Sequence, residues 1–203
     1  MLIFHGPRLV VFSVPRTGST SLHKALRPFA DIEFSNPPGK KHMTVRRFEN
    51  WSKDQGEIAS YSRAAVIREP LARISSWYRY RRRPELKGKE NSAEHLTFDA
   101  FVEASLSQDV PAVANIGNQH RFLTREDGTL GVQELFCIEK REVMIAYFEN
   151  LFGEITLPHR NAAPEEELSL DPALERRLRE ARTEEFALFN RVQPTGRLTL
   201  PAA

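Results

Sequence analysis

Residues 8–22, RLVVFSVPRTGSTSL, decide the fold. The first part, residues 8–14, is short, apolar and β-branched, and reads as a buried strand. Residues 15–21 then become small and polar. Leu22, Ala25, Leu26 and Phe29 follow at the i, i+3, i+4, i+7 spacing of one helical face. A strand, a tight polar turn and a helix in this order present unpaired helix N–H groups and partial positive charge at a strand end. That is an anion site. Gly18 lets the backbone approach the anion and permits positive φ. Ser19, Thr20 and Ser21 add hydroxyl donors, and Arg16 adds a permanent charge suited to bidentate contact with oxyanions.

Working outward, residues 32–34 read as a second strand. Residues 36–41 (NPPGKK) read as a loop, because two prolines and a glycine oppose regular structure. Residues 44–51 suit a short helix. Residues 63–68 (RAAVIR) read as another buried strand, and Glu69-Pro70 opens a helix with proline in its first turn. Leu71, Ile74 and Tyr78 give that helix an apolar face, with Arg73, Ser76 and Tyr80 on the opposite, polar one. Residues 84–94 are polar and loop-like. Phe98, Phe101, Val102 and Leu106 mark a helix, and residues 109–117 are irregular. Residues 132–138 form a strand pattern, followed by a helix with Met144, Tyr147, Phe148 and Leu151 on one face. Residues 155–157 suit a last short strand. Asp171-Pro172 is an N-cap and first-turn pair opening one charged helix to about Val192. The tail after Gln193 is expected to fray.

Strands alternating with helices predict an α/β chain: a P-loop-like three-layer fold with a largely parallel central sheet flanked by helices. The length, 203 residues, suits a single domain over residues 1–203. Ligands of such sheets bind at the carboxyl ends of the strands, where residues 14–22 and Arg68 both fall. Arg68 at the strand end and Ser76 eight positions later can converge on one phosphate.

The bulk numbers narrow the partners. A net charge of +2 gives no argument for nucleic acid or a membrane surface. The basic residues are nonetheless clustered at Lys40-Lys41 and at Arg79, Arg81, Arg82 and Arg83, and Arg81–Arg83 could attract an anionic acceptor. Cys137 is the single cysteine, so neither a disulfide within the chain nor a cysteine zinc site is available. The apolar run at residues 9–14 is too short to span a bilayer. The start of the chain lacks the pattern of a signal peptide. The expectation is a cytoplasmic protein with no transmembrane segment.

Residues 14–22 lack the first glycine and the lysine of GxxxxGK[ST], which disfavours an ATPase, a GTPase or a small-molecule kinase. They lack GxGxxG as well. Instead, Arg16-Thr17-Gly18-Ser19-Thr20-Ser21-Leu22 and Arg68-Glu69-Pro70-Leu71-Ala72-Arg73-Ile74-Ser75-Ser76-Trp77-Tyr78, in this order, resemble two segments of the sulfotransferases that use 3′-phosphoadenosine 5′-phosphosulfate (PAPS). The likeness is greatest to carbohydrate sulfotransferases and their small bacterial relatives. In that family the first segment, [KR]-x-G-[ST]-[ST]-x-L, binds the 5′-phosphosulfate. The second, R-[DEN]-P-x-x-R-x-x-S-x-[YF], binds the 3′-phosphate. Residues 39–44, 137–140 and 157–161 carry weaker similarity.

The resemblance implies sulfuryl transfer from PAPS to a hydroxyl of a saccharide or glycoconjugate, without metal, leaving 3′,5′-adenosine bisphosphate. It implies that Arg16, Thr17, Gly18, Ser19, Thr20 and Ser21 bind the 5′ end, and that Arg68 and Ser76 bind the 3′-phosphate. Many members have lysine where this chain has Arg16. Arginine is not deprotonated in proteins, so Arg16 would act by charge alone. His42 is the first candidate for the general base, because histidine titrates near neutrality and His42 follows the second strand. His120 and Glu139 are alternatives. His159 and Arg160 would border the nucleotide. The competing reading is a non-catalytic nucleotide-binding protein on the same fold, with a P-loop kinase behind it.

Overall fold

The computed structural model describes residues 1–158 and 168–201. Six strands form one sheet: β1 (Leu2–Phe4), β2 (Leu9–Val11), β3 (Ile32–Glu33), β4 (Ser62–Ile67), β5 (Glu134–Cys137) and β6 (Arg197–Thr199), in the order β3-β1-β2-β4-β5-β6. The centre is parallel, with Val10 opposite Arg63 and Val66 opposite Phe136. Both flanks are antiparallel: β1 pairs β2 and β3, and β6 pairs β5. The predicted largely parallel sheet is therefore parallel in its middle three strands only.

Nine α-helices lie among the described residues: α1 (Ser19–Leu26), α2 (Pro38–Lys41), α3 (Val45–Ser52), α4 (Pro70–Arg81), α5 (Phe98–Leu106), α6 (Gln119–Leu123), α7 (Arg141–Phe152), α8 (Pro172–Ala181) and α9 (Thr183–Val192). Period-two alternation sends Ile3, Val10, Ala65 and Leu135 to one face, where Phe48 of α3, Leu123 of α6 and Val192 of α9 cover them. Leu2, Val11, Val66 and Phe136 go to the other, under Leu26 of α1 and Phe148 of α7. These are the three layers. A third apolar cluster joins Ile74, Phe101, Leu178 and Phe186 from α4, α5, α8 and α9.

Local rules set most helix starts. The Thr44, Thr97 and Asp171 side chains accept from backbone N–H groups in the first turns of α3, α5 and α8. Four expectations give way. Residues 36–41 hold the single turn α2, because proline is harmless in a first turn, where its missing N–H would have no helical partner. The helix carrying Leu22 ends at Leu26; Phe29 lies in a 3₁₀ turn and stacks on Phe152 at 5.3 Å. Residues 155–157 form no strand; Ile155 is buried against the α1/α7 layer instead. The single terminal helix is two, parted at Arg182.

The tail expected to fray after Gln193 contributes β6. Glu134 explains this. It is a buried carboxylate in β5, and it needs a charged partner. Arg197 Nε donates to it at 2.8 Å and Thr199 Oγ1 at 3.1 Å.

Candidate active site

β2 runs on through Phe12, whose N–H donates to the Ala64 carbonyl at 2.9 Å, and the chain then turns. Two left-handed residues make the turn, Arg16 at φ 69° and Gly18 at φ 75°. Glycine adopts this freely. For Arg16 it costs about 1–2 kcal/mol. A Cβ on Gly18 would also lie 2.9 Å from Ile138 Cδ1, although the tip of that flexible side chain can yield. Thr17 Oγ1 donates to the Val14 carbonyl at 3.0 Å and closes the loop on itself.

Gly18 is the N-cap of α1. Among the described residues no side chain caps this helix, and its first turn holds no acidic residue. Its positive end is therefore left for an external anion. The start of α4 is different. The Glu69 carboxylate accepts from the Ala72 N–H and neutralises that helix end from within.

The two segments quoted from the sequence meet in space. Arg16 Nε and Nη2 donate to Ser76 Oγ at 3.1 and 2.8 Å. The same guanidinium lies over the Tyr80 ring, 5.0 Å from its centroid, and so does that of Arg83. Arg81 and Arg82 stack on Trp77 and Tyr78. The basic run thus packs on its own helix's aromatic rings rather than projecting as a loose charged patch.

Arg73 departs from expectation. On the polar face assigned to it, Arg73 and Ser76 are buried and Tyr80 half-buried, and Arg73 is 2% exposed. Its Nε donates to the Pro15 carbonyl at 3.2 Å and its Nη2 to the Ile116 carbonyl at 2.9 Å. Its Nη1 lies 3.4 Å from Glu185 Oε1. Burial pulls this guanidinium down to about 10, with Glu185 opposing, so it stays charged at neutral pH.

His42 ends α2, and its Nδ1 lies 2.6 Å from the Ser13 carbonyl oxygen. A carbonyl only accepts, so Nδ1 carries the proton and Nε2 carries the lone pair. Burial lowers the pKa of this ring; the Ser13 bond opposes that and Lys41 adds to it. The imidazole is thereby kept neutral and tied to the chain three residues before Arg16.

The other base candidates lie elsewhere or are engaged. His120 lines a cavity of about 560 Å³ with Arg125, Leu130 and Arg191, and its Nδ1 lies 3.4 Å from Glu184. No residue of the 16–21 turn lines that cavity. Glu139 accepts from the Glu69 N–H at 2.9 Å. His159 and Arg160 lie outside the described residues.

A separate cavity of about 420 Å³ opens beside the turn, its lining including Thr17, Gly18, Ser21, Ile138, Arg141 and Leu157. That volume suits a small-molecule ligand. Arg141, which opens α7, suggested itself from the sequence only as an ion-pair partner for Glu139, not as part of this cavity; its one signal there is a basic residue just after a strand. Gln119 escaped the sequence reading. It is fully buried and hydrogen-bonds both backbone polar groups of Arg68. Nothing in NQHRF marks it.

No helix among the described residues is long and apolar enough to cross a membrane. Comparison with curated proteins and with solved structures gave no match. A family model described as "Sulfotransferase family" matches residues 1–190. That match spans nearly the whole chain, on a mixed α/β sheet with a parallel centre whose strand end carries the uncapped α1, and it follows that the chain belongs to the sulfotransferase family, transferases that move sulfuryl groups to hydroxyl-bearing acceptors.

Proposed function

We propose that the chain transfers a sulfuryl group from PAPS to a hydroxyl of a carbohydrate-like acceptor. The observation that carries this reading is the hydrogen-bonded pair Arg16–Ser76, which joins the two segments at one place. A donor with phosphates at both the 5′ and 3′ positions needs two anion sites at a fixed separation. The uncapped α1 and the small cradle at Gly18 suit the 5′ end, held by Arg16, Thr17, Gly18, Ser19, Thr20 and Ser21. Arg68 and Ser76 hold the 3′-phosphate. Ser76 Oγ accepts twice from Arg16, which leaves its O–H hydrogen to donate to that phosphate. The cavity beside Gly18 and Arg141 receives the nucleoside.

The acceptor oxygen attacks sulfur, its proton passes to His42 Nε2, and the bond from sulfur to the bridging phosphate oxygen breaks. Arg16 stabilises the charge that develops on that phosphate. As in phosphoryl transfer, positioning and electrostatics carry the rate. His42 suits the base role because its Nδ1–H is committed to Ser13 and burial keeps Nε2 unprotonated. Arg83, beside Arg16 on Tyr80, favours an acceptor bearing negative charge.

Isothermal titration with 3′,5′-adenosine bisphosphate, 5′-AMP and ATP tests this. The expected result is metal-independent binding that requires the 3′-phosphate and is lost in Arg68→Ala. Binding of ATP only, with Mg²⁺, would replace the donor assignment with a kinase one.

A further inference from the structure

Arg68 follows the last paired residue of β4, Ile67, which stands opposite Cys137. At this point the Gln119 side chain takes over the role of a strand neighbour. Its Oε1 accepts from the Arg68 N–H at 3.1 Å and its Nε2 donates to the Arg68 carbonyl at 2.6 Å. One fully buried amide side chain thus reproduces both hydrogen bonds of a ladder pair on the half-buried Arg68. Gln119 is itself fixed, because its own N–H donates to Glu185 Oε1 at 3.1 Å.

Glu185 is a buried carboxylate on α9, 1% exposed. Besides Gln119 it receives Arg73 Nη1 at 3.4 Å and Arg182 Nη1 at 3.2 Å. Arg73 in turn donates to the Pro15 carbonyl, the residue before Arg16. Two paths therefore leave Glu185. One passes through Gln119 to the backbone of Arg68, and the other through Arg73 to the Pro15 carbonyl, just before the 16–21 turn. A buried, multiply bonded ionic group adds little net stability over an apolar core, and its best-attested use is to fix one arrangement.

We infer that Gln119 and Glu185 are positioning residues: Gln119 aims Arg68 at the 3′-phosphate, and Glu185 locks the spacing between the two phosphate-binding segments. This rests on the donor reading above. Neither residue needs to touch the donor. Their effect is expressed as selectivity for a ligand carrying both phosphates, because only such a ligand senses the distance between the segments.

The experiment measures two quantities on the full chain with Gln119→Leu, which keeps the side-chain volume and removes both amide bonds. The first is the ratio of affinities for 3′,5′-adenosine bisphosphate and 5′-AMP by titration calorimetry. The second is hydrogen exchange at the Arg68 amide without ligand. The expected result is a ratio that falls about tenfold, with AMP affinity little changed and Arg68 exchange accelerated. Gln119→Glu keeps the acceptor and loses the donor, and is expected to lie between. Glu185→Gln is expected to lower the ratio as well. An unchanged ratio in a folded Gln119→Leu protein would overturn the inference, and so would an equal loss of affinity for both ligands, which marks a merely structural residue. Should Gln119→Leu not fold, Gln119→Glu carries the same comparison. If the unsubstituted protein shows no preference for the bisphosphate, the donor reading fails and the inference falls with it. Exchange at Arg68 still reports whether the clamp exists, so the two failures are told apart.

Discussion

Arg16 holds a left-handed backbone that glycine would adopt without strain. Strain of this kind collects at binding sites, which supports the role proposed for Arg16. Arg16→Ala and Arg16→Gly are both expected to lose bisphosphate binding in calorimetry. In urea unfolding, however, the glycine variant should be the more stable of the two by about 1 kcal/mol, because it alone relieves the φ of 69°. Equal stability would mean that the turn relaxes when the arginine is gone. At His42 the lowered pKa sets the sign of the pH response. A base at His42 would work unprotonated, so on the proposed mechanism the acid limb of kcat/KM should lie below pH 6.5, the ordinary value for histidine, and vanish together with most turnover in His42→Asn. The same shift makes the unfolded chain the better proton binder. The contribution of His42 to stability is therefore full above pH 6.5 and is lost as pH falls through the folded-state pKa. A pH–rate profile with an unshifted limb in His42→Asn would move the base elsewhere.

At the scale of elements, α1 and α4 face the same strand ends with opposite electrostatics. α1 begins uncapped at Gly18, whereas α4 begins under the Glu69 carboxylate. The first is open to an anion and the second is closed to one, so the proposed 3′-phosphate site rests on the side chains of Arg68 and Ser76 rather than on the start of α4. Glu69→Ala should destabilise the protein by about 1 kcal/mol in urea unfolding, the usual cost of a lost cap. It should also weaken bisphosphate binding, because α4 carries Ser76. A variant with unchanged stability would show that α4 is held by tertiary packing alone. β6 is likewise an element with an electrostatic reason, being docked by the Arg197–Glu134 pair. Arg197→Ala should lower stability by roughly 1–2 kcal/mol, less than a fully buried pair would give, since Arg197 is more than a third exposed. Thermal unfolding of that variant tests it.

Across the whole molecule, the sheet brings the two segments proposed to hold the donor phosphates to one edge, and on the proposed arrangement the α9 side of the fold fixes their separation. Residues 14–22 follow β2, Arg68 follows β4, and these two strands are parallel neighbours. Parallel pairing is what puts both segments at the same edge. Glu185, Arg73 and Gln119 then span α9, α4 and α6 beneath that edge. Apolar clusters cover both sides of the sheet, and in the proposal the buried polar group adds a specific spacing to that frame.

Some of this was legible in the chain alone. The strand–turn–helix chemistry of residues 14–22, the Arg68–Ser76 segment and the α/β alternation are written in contiguous residues, where periodicity and turn composition act locally. The family resemblance rested on those same local segments. What the sequence could not decide lies between residues far apart. Arg73 matched a polar helix face by spacing, yet it is buried because Glu185, 112 positions away, neutralises it there. Gln119 is silent in sequence because its partner backbone is 51 positions distant. The tail became a strand because a single carboxylate in β5 needed Arg197. Local rules choose elements. Only tertiary packing decides which polar groups lose water, and a buried polar group must find its partner wherever the fold brings one.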